Sequence, residues 1–229
     1  MAYKKIGVIV ADKDEYAPFK SLIADAKDTT TPFKSAFKFT VGQTEVISVC
    51  CGIGKVNSAA CAMYLCDNGC DCLLNFGLSG GLKGSYRGDF ILPDRFLEHD
   101  FDLTALGYKP CEKPGQTFIY NADRELVRIF SALPFVKCSG TAVCGDSFIS
   151  DKKTAEFLSD TFCASSCDME TGAIASVCHI TKTPFLALRR ISDGADGSAE
   201  DEYKEMNEND GITLAGAFLK CLNAVCEER

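Results

Sequence analysis

The residues best suited to do chemistry lie between Cys167 and Asp196, in the run CDMETGAIASVCHITKTPFLALRRISDGAD. Here Glu170 stands at the start of a helix of small residues. An apolar strand, Pro184 to Leu188, then runs directly into Arg189, Arg190 and Asp193. Ligands of open α/β sheets bind beyond the carboxyl ends of the strands, so these charges sit where a crevice belongs. A carboxylate at each edge of such a crevice suits polyol binding combined with proton transfer. A third acid, Glu15, follows the first apolar run, IGVIVA, by a few residues.

Each of these groups also has an ordinary role. Asp12-Lys13-Asp14-Glu15 has the form of a capping box, with Asp12 as N-cap and Glu15 reaching back to it. The same geometry places Glu15 at the end of the first strand, so two roles compete for one carboxylate. Glu170 could simply stabilise a helix N-terminus. Asp193 could be a loop carboxylate or a cap. Arg189 and Arg190 are adjacent in an extended segment and point to opposite faces, so one faces the site and the other does not. The turn GLSGGL, which includes Leu78 and Ser79, lacks both the G-x-G-x-x-G spacing and the P-loop pattern. It reads either as a tight strand exit or as a backbone cradle for a sugar.

The elements that must position these groups alternate strand and helix. Strands are expected at 6–11, in two runs over 35–51 turning near Gly42, and at 72–76, 88–97, 137–145, 162–167 and 184–191. Helices are expected at 15–27, 55–66, 122–133, 151–160, 169–180 and from about 200 to 226. Residues 98–121, with two prolines and two glycines, form a long irregular connection of the kind that often carries function. Alternation without a Pro/Gly/Ser linker argues for one α/β domain spanning 1–229.

Composition narrows the function classes. The 229 residues carry a formal net charge of −8 and no Lys/Arg-rich block, which disfavours a nucleic-acid or anionic-membrane surface. The apolar run after Lys4 and Lys5 is too short for a signal peptide or a membrane span, and no later run reaches 18 apolar residues. The 14 cysteines sit largely in apolar periodic segments, with no CxxC spacing, and the two histidines show no ligand spacing to them. They read as core thiols of a protein kept in a reducing, cytoplasmic compartment, with no metal site.

Seven blocks, KIGVIVADKDE, GIGKVNSA, NFGLSGGL, HDFDLTALGY, GDSFIS, DMETGAIA and RRISDGAD, occur in one order, and the match they anchor covers about residues 5 to 220. In this the chain resembles the 5'-methylthioadenosine/S-adenosylhomocysteine nucleosidases of the purine nucleoside phosphorylase superfamily. The resemblance implies a three-layer sandwich with a twisted mixed central sheet, assembled as a homodimer. It implies hydrolysis of an adenine N-glycosidic bond without cofactor or metal, in methionine salvage and nucleoside catabolism. By it, Asp193 protonates adenine N7, Glu15 activates the attacking water and Arg189 holds that water. Glu170 binds the ribose hydroxyls with Met169 packed on the sugar. Phe148 stacks on adenine, and the backbone of Ile149 reads the base edge. Ile53, Leu103, Leu106, Tyr108 and Tyr203 line the pocket for the 5'-thio group.

Two positions depart from the family pattern. Leu78 replaces a customary serine, with Ser79 following, and Asp12 replaces a customary methionine, so a 5'-hydroxyl nucleoside becomes conceivable. Two other readings remain open. A phosphate-dependent nucleoside phosphorylase needs an anion site, and ADKDE offers three acids and no arginine at the first strand exit. A non-catalytic nucleoside binder would have little need of both an acid and a base.

Overall fold

The computed structural model describes residues 3–205 and 208–227. Its elements run β1 (Lys5–Val10), α1 (Lys13–Ser21), β2 (Lys27–Asp28), β3 (Ser35–Val41), β4 (Thr44–Cys50), α2 (Lys55–Asp67), β5 (Cys72–Gly81), β6 (Phe90–Glu98), β7 (Ile119–Asn121), α3 (Arg124–Ser131), β8 (Val136–Cys144), α4 (Lys152–Phe162), β9 (Ala164–Asp168), α5 (Thr171–Thr181), β10 (Phe185–Asp193), α6 (Ala199–Lys204) and α7 (Glu208–Glu227). The fold is a mixed α/β sandwich, as expected. All ten strands join in one sheet of order β10-β6-β8-β9-β5-β1-β4-β3-β2, with β7 on β6.

β5 is the hub of that sheet. It lies parallel to β1 and to β10, and at Gly80–Gly81 it also pairs antiparallel with β9. The β10–β5 pairing closes half of the sheet on itself through β6, β8 and β9. Helices α1, α3 and α7 pack together on one face, while α2 and α5 pack together on the other. Strands covered on both sides read as continuous apolar runs, and β1 and β4 are buried almost throughout.

An aromatic cluster anchors β5 from one face. Phe76 stacks on Phe218 at 4.4 Å between ring centroids, and Phe19 meets Phe76 edge-on at 5.1 Å. All three are fully buried. Fully burying one such side chain stabilises by roughly 1.5–3 kcal/mol, so the strand entering the site is held firmly. The 13 described cysteines are all free, and most are buried.

Several boundaries differ from the sequence expectation. α1 stops at Ser21 rather than at Lys27, because Lys27 and Asp28 leave the helix to pair with Lys38 and Phe37 of β3. Tertiary pairing here overrides a helix-compatible composition. The glycine-rich segment after Phe76 is no turn, since β5 continues through it to Gly81. The 98–121 connection includes the short strand β7 and a single 3-10 turn at Thr104–Leu106. The C-terminal helix is two helices, α6 and α7, and residues 206–207 between them lie outside the described residues.

Candidate active site

Six segments end at one cavity of about 350 Å³, a volume in the range of small-ligand sites. β1 delivers Ala11 and Asp12, and the first turn of α1 delivers Glu15. β5 supplies Leu78, Ser79 and Gly80, and the segment after β8 supplies Ser147, Phe148 and Ile149. The start of α5 brings Met169 and Glu170, and β10 brings Arg189, Ser192 and Asp193. Ile53, before α2, and Tyr203, on α6, complete the lining together with Glu200 and Lys204.

The competition over Glu15 is resolved by division of labour. Asp12 caps α1 alone, its Oδ1 accepting from the Asp14 N–H at 2.6 Å. Glu15 turns away from the cap, and its Oε1 accepts from the Leu78 N–H at 2.7 Å. The same division occurs at α5. Asp168 accepts from the N–H groups of Glu170 and Thr171, both at 2.8 Å, and from the Thr171 hydroxyl at 2.7 Å. Glu170 makes no capping bond; its Oε1 accepts from the Gly54 N–H at 3.1 Å, and the residue is only 5% exposed. In each pair the neighbouring aspartate caps the helix, leaving the glutamate free to face the cavity.

Arg189, 2% exposed, lies between these acids. Its Nε donates to Ser79 Oγ at 2.8 Å and its Nη1 to Asn75 Oδ1 at 2.9 Å, while Nη2 donates to the Leu78 carbonyl. Asp168 and Glu170 carboxylate oxygens each lie 3.7 Å from the guanidinium. A guanidinium so surrounded is rigidly oriented and compensates two buried anions. Arg190 faces the other way, onto the Asp210 carboxylate at 2.7 Å and its carbonyl at 3.0 Å. The opposite-face expectation for the two arginines therefore holds.

Burial pushes the Glu15 carboxyl up to about 7, against the opposing pull of Arg189 and the Leu78 N–H. Burial likewise raises Glu170. Asp193, 1% exposed, is raised by burial despite hydrogen bonds from the Ser192 hydroxyl at 2.6 Å and the Ala195 N–H at 2.9 Å. Each Asp193 carboxyl oxygen therefore accepts one hydrogen bond from the protein. Ser192 Oγ, the donor to Oδ2, also lies 3.2 Å from the Ser79 carbonyl. The arrangement provides a carboxyl able to hold a proton, a second carboxyl poised near neutrality, and an enclosed space between them. That is the equipment of general acid–base chemistry.

At the mouth, the Phe148 and Tyr203 rings meet edge-on at 5.7 Å, 48% and 40% exposed. Leu103, Leu106 and Tyr108 lie on the 98–121 connection outside the cavity lining, with Leu106 72% exposed. Leu78 contributes its backbone to Glu15 and Arg189, and Ser79 binds Arg189. Asn75, Asp168 and Ser192 escaped the sequence reading. Asn75 interrupts the apolar run LLNF, and Asp168 and Ser192 each adjoin or nearly adjoin a carboxylate already singled out. Those signals were available.

The described residues contain no group of three or more His, Cys, Asp or Glu arranged to hold a metal ion. Residues 5–226 match the model of the phosphorylase superfamily. A 5'-methylthioadenosine/S-adenosylhomocysteine nucleosidase of an Exiguobacterium species is 33% identical over 92% of this chain and 94% of its own. That of Bacillus subtilis is 32% identical over 96% and 99%. A crystal structure of the Helicobacter pylori nucleosidase of that name superposes with a TM-score of 0.91 at 26% identity, covering 97% of this chain and 99% of the other.

Proposed function

The chain belongs to the phosphorylase superfamily, and within it to the 5'-methylthioadenosine/S-adenosylhomocysteine nucleosidases, and from that premise we propose how its residues cleave the adenine N-glycosidic bond. The substrates are 5'-methylthioadenosine, S-adenosylhomocysteine and related 5'-substituted adenosines. The observation that carries the assignment of roles is the convergence of Glu15, Glu170, Arg189 and Asp193 on one cavity. Glu15 takes a proton from water, whose oxygen bonds to C1' as the C1'–N9 bond breaks. The bonding pair leaves with adenine, and Asp193 supplies the proton that N7 accepts. The transition state is ribosyl cation-like, as glycosidic cleavages generally are. Glu170 accepts from the 2'- and 3'-hydroxyls, and Arg189 holds the water while facing Glu170 at 3.7 Å.

Phe148 and Ile149 hold the base, Met169 the sugar, and Ile53 and Tyr203 the 5' end. Leu103, Leu106 and Tyr108 lie outside the cavity of their own chain, and we assign them to the 5' end of a second copy's site. We therefore assign a homodimer in which the 98–121 connection crosses the interface. The exposed apolar residues Ile53, Val56 and Met63 beside α2's outer face support that assignment. The whole chain, 1–229, is taken as one nucleoside phosphorylase-like domain. The free cysteines support a cytoplasmic setting, and no described helix is long and apolar enough to cross a membrane. The ligand is a small nucleoside rather than a nucleic acid.

Hydrolysis is favoured over phosphorolysis by the cations of the cavity. Arg189 donates to Ser79, Asn75 and Leu78 and its charge is balanced by two carboxylates at 3.7 Å, and Lys204 pairs with Glu200 at 2.5 Å. Neither charge is left to balance a phosphate dianion, which an ionised Glu15 would also repel. The test is release of adenine and free 5-methylthioribose from 5'-methylthioadenosine in phosphate-free buffer, repeated with Asp193→Asn. Strict dependence on phosphate would overturn hydrolysis, and binding without turnover would leave only a nucleoside-binding module.

A further inference from the structure

Outside the cavity, a second group of charges ties together the two parts that grip the substrate. The N-terminus of α2 presents two consecutive backbone donors. The Gly54 N–H donates to Glu170 at 3.1 Å, and the Lys55 N–H donates to Asp146 Oδ1 at 2.8 Å. Asp146 is held at its other end as well, its own N–H donating to Asp100 Oδ2 at 3.0 Å. The Lys55 ammonium closes the loop on Asp100 Oδ1 at 2.5 Å and reaches Glu98 at 3.5 Å. Glu98 in turn binds Lys113 at 2.5 Å. The Lys55, Glu98 and Asp100 side chains are 20%, 15% and 28% exposed, so water screens them only in part.

Asp146 lies two residues before Phe148, at the start of the segment that presents Phe148 and Ile149 to the cavity. Gly54 contacts Glu170. One helix terminus thus fixes the base-holding segment and the ribose-holding carboxylate against each other. Gly54, at φ +99°, leaves 3.1 Å between Asp146 Oδ1 and the place a Cβ would occupy, so a side chain there would crowd the joint.

We propose that Asp146, with Lys55 and Asp100, is a positioning unit that sets the spacing between the base and ribose halves of the site. None of the three lines the cavity, so they act through Gly54, Glu170, Phe148 and Ile149. Correct spacing benefits the bound substrate and the transition state alike. Losing it raises KM and leaves kcat nearly unchanged, the signature of lost uniform binding.

The inference rests on the nucleosidase reading above, and the experiment separates the two. Wild type, Asp146→Ala, Asp100→Asn, Lys55→Met and Lys55→Arg are compared by steady-state hydrolysis of 5'-methylthioadenosine and by calorimetric binding of adenine. If wild type releases no adenine, the functional reading fails first, and adenine binding still tests the positioning unit. Asp146→Ala and Lys55→Met should raise KM about tenfold, with kcat within about threefold of wild type. Both should weaken adenine binding, and Lys55→Arg should restore most of the loss. Should Asp146→Ala fold poorly, Asp100→Asn, which removes the acceptor charge and keeps the shape, serves in its place. Wild-type KM and adenine affinity in Lys55→Met and Asp100→Asn would overturn the proposal. So would a lowered melting temperature with unchanged KM, which is what a purely structural role produces.

Discussion

At the scale of the residue, the site separates its carboxylates by what surrounds each. Glu15 must be ionised to take a proton from water, whereas Asp193 must be protonated to give one. With Glu15 raised to about 7 by burial and Asp193 raised by burial, kcat/KM should trace a bell between pH 5 and 9. Glu15 places one limb near 7, and Asp193 sets the other. A flat profile with chemistry rate-limiting would remove both assignments.

Glu15 also affects stability, with a definite sign. The unfolded carboxyl loses its proton near its ordinary 4.5, and the folded one holds it to about 7. Between those values the folded state binds more protons, so stability falls as pH rises through the window. Glu15→Gln should therefore leave the protein more stable at pH 8, by at most roughly 3 kcal/mol, and little changed at pH 4. Thermal unfolding of both proteins at the two pH values checks this, and a stabilisation equal at both would refute it.

At the scale of the element, β5 contributes through the side chains it lacks. A Cβ on Gly77 would lie 2.8 Å from Arg189 Nη1 and 3.2 Å from Glu15 Oε1. One on Gly80 would lie 2.8 Å from Cys167 Sγ and 3.2 Å from Asp193 Oδ1. These glycines do not serve a turn, for neither has a positive φ; they clear space for charged side chains crossing the strand. Gly77→Ala should consequently displace Arg189 and Glu15 and lower kcat/KM by about a hundredfold, since small misplacements of catalytic groups are costly. Retained activity would show that Arg189 has more freedom than its bonds to Ser79 and Asn75 suggest. The glycine-rich stretch was visible in the sequence, but its purpose was not, because the groups it accommodates come from residues 15, 189 and 193.

At the scale of the whole molecule, the exposed apolar residues Ile53, Val56 and Met63, 50%, 79% and 42% exposed, mark the face assigned to the dimer. Replacing Val56 and Met63 together by glutamate should yield a monomer in light scattering after size-exclusion chromatography. It should also raise KM for 5'-alkylthio substrates more than for adenosine, because Leu106 and Tyr108 would no longer reach the 5' end. A wild-type monomer with full activity would refute both the dimer and the shared pocket.

Local rules left their mark along the chain, and much was therefore legible before folding. Apolar runs followed by acids marked the strand exits, the order of blocks marked the family, and adjacency alone sent Arg189 and Arg190 to opposite faces. Adjacency could not say which acid of each pair would cap its helix and which would turn inward. Asp12 caps while Glu15 bonds Leu78, and Asp168 caps while Glu170 bonds Gly54. Those choices depend on donors 63 and 116 residues away. A carboxylate's charge state and direction are set by burial and by partners in space, and only the tertiary fold brings those partners together.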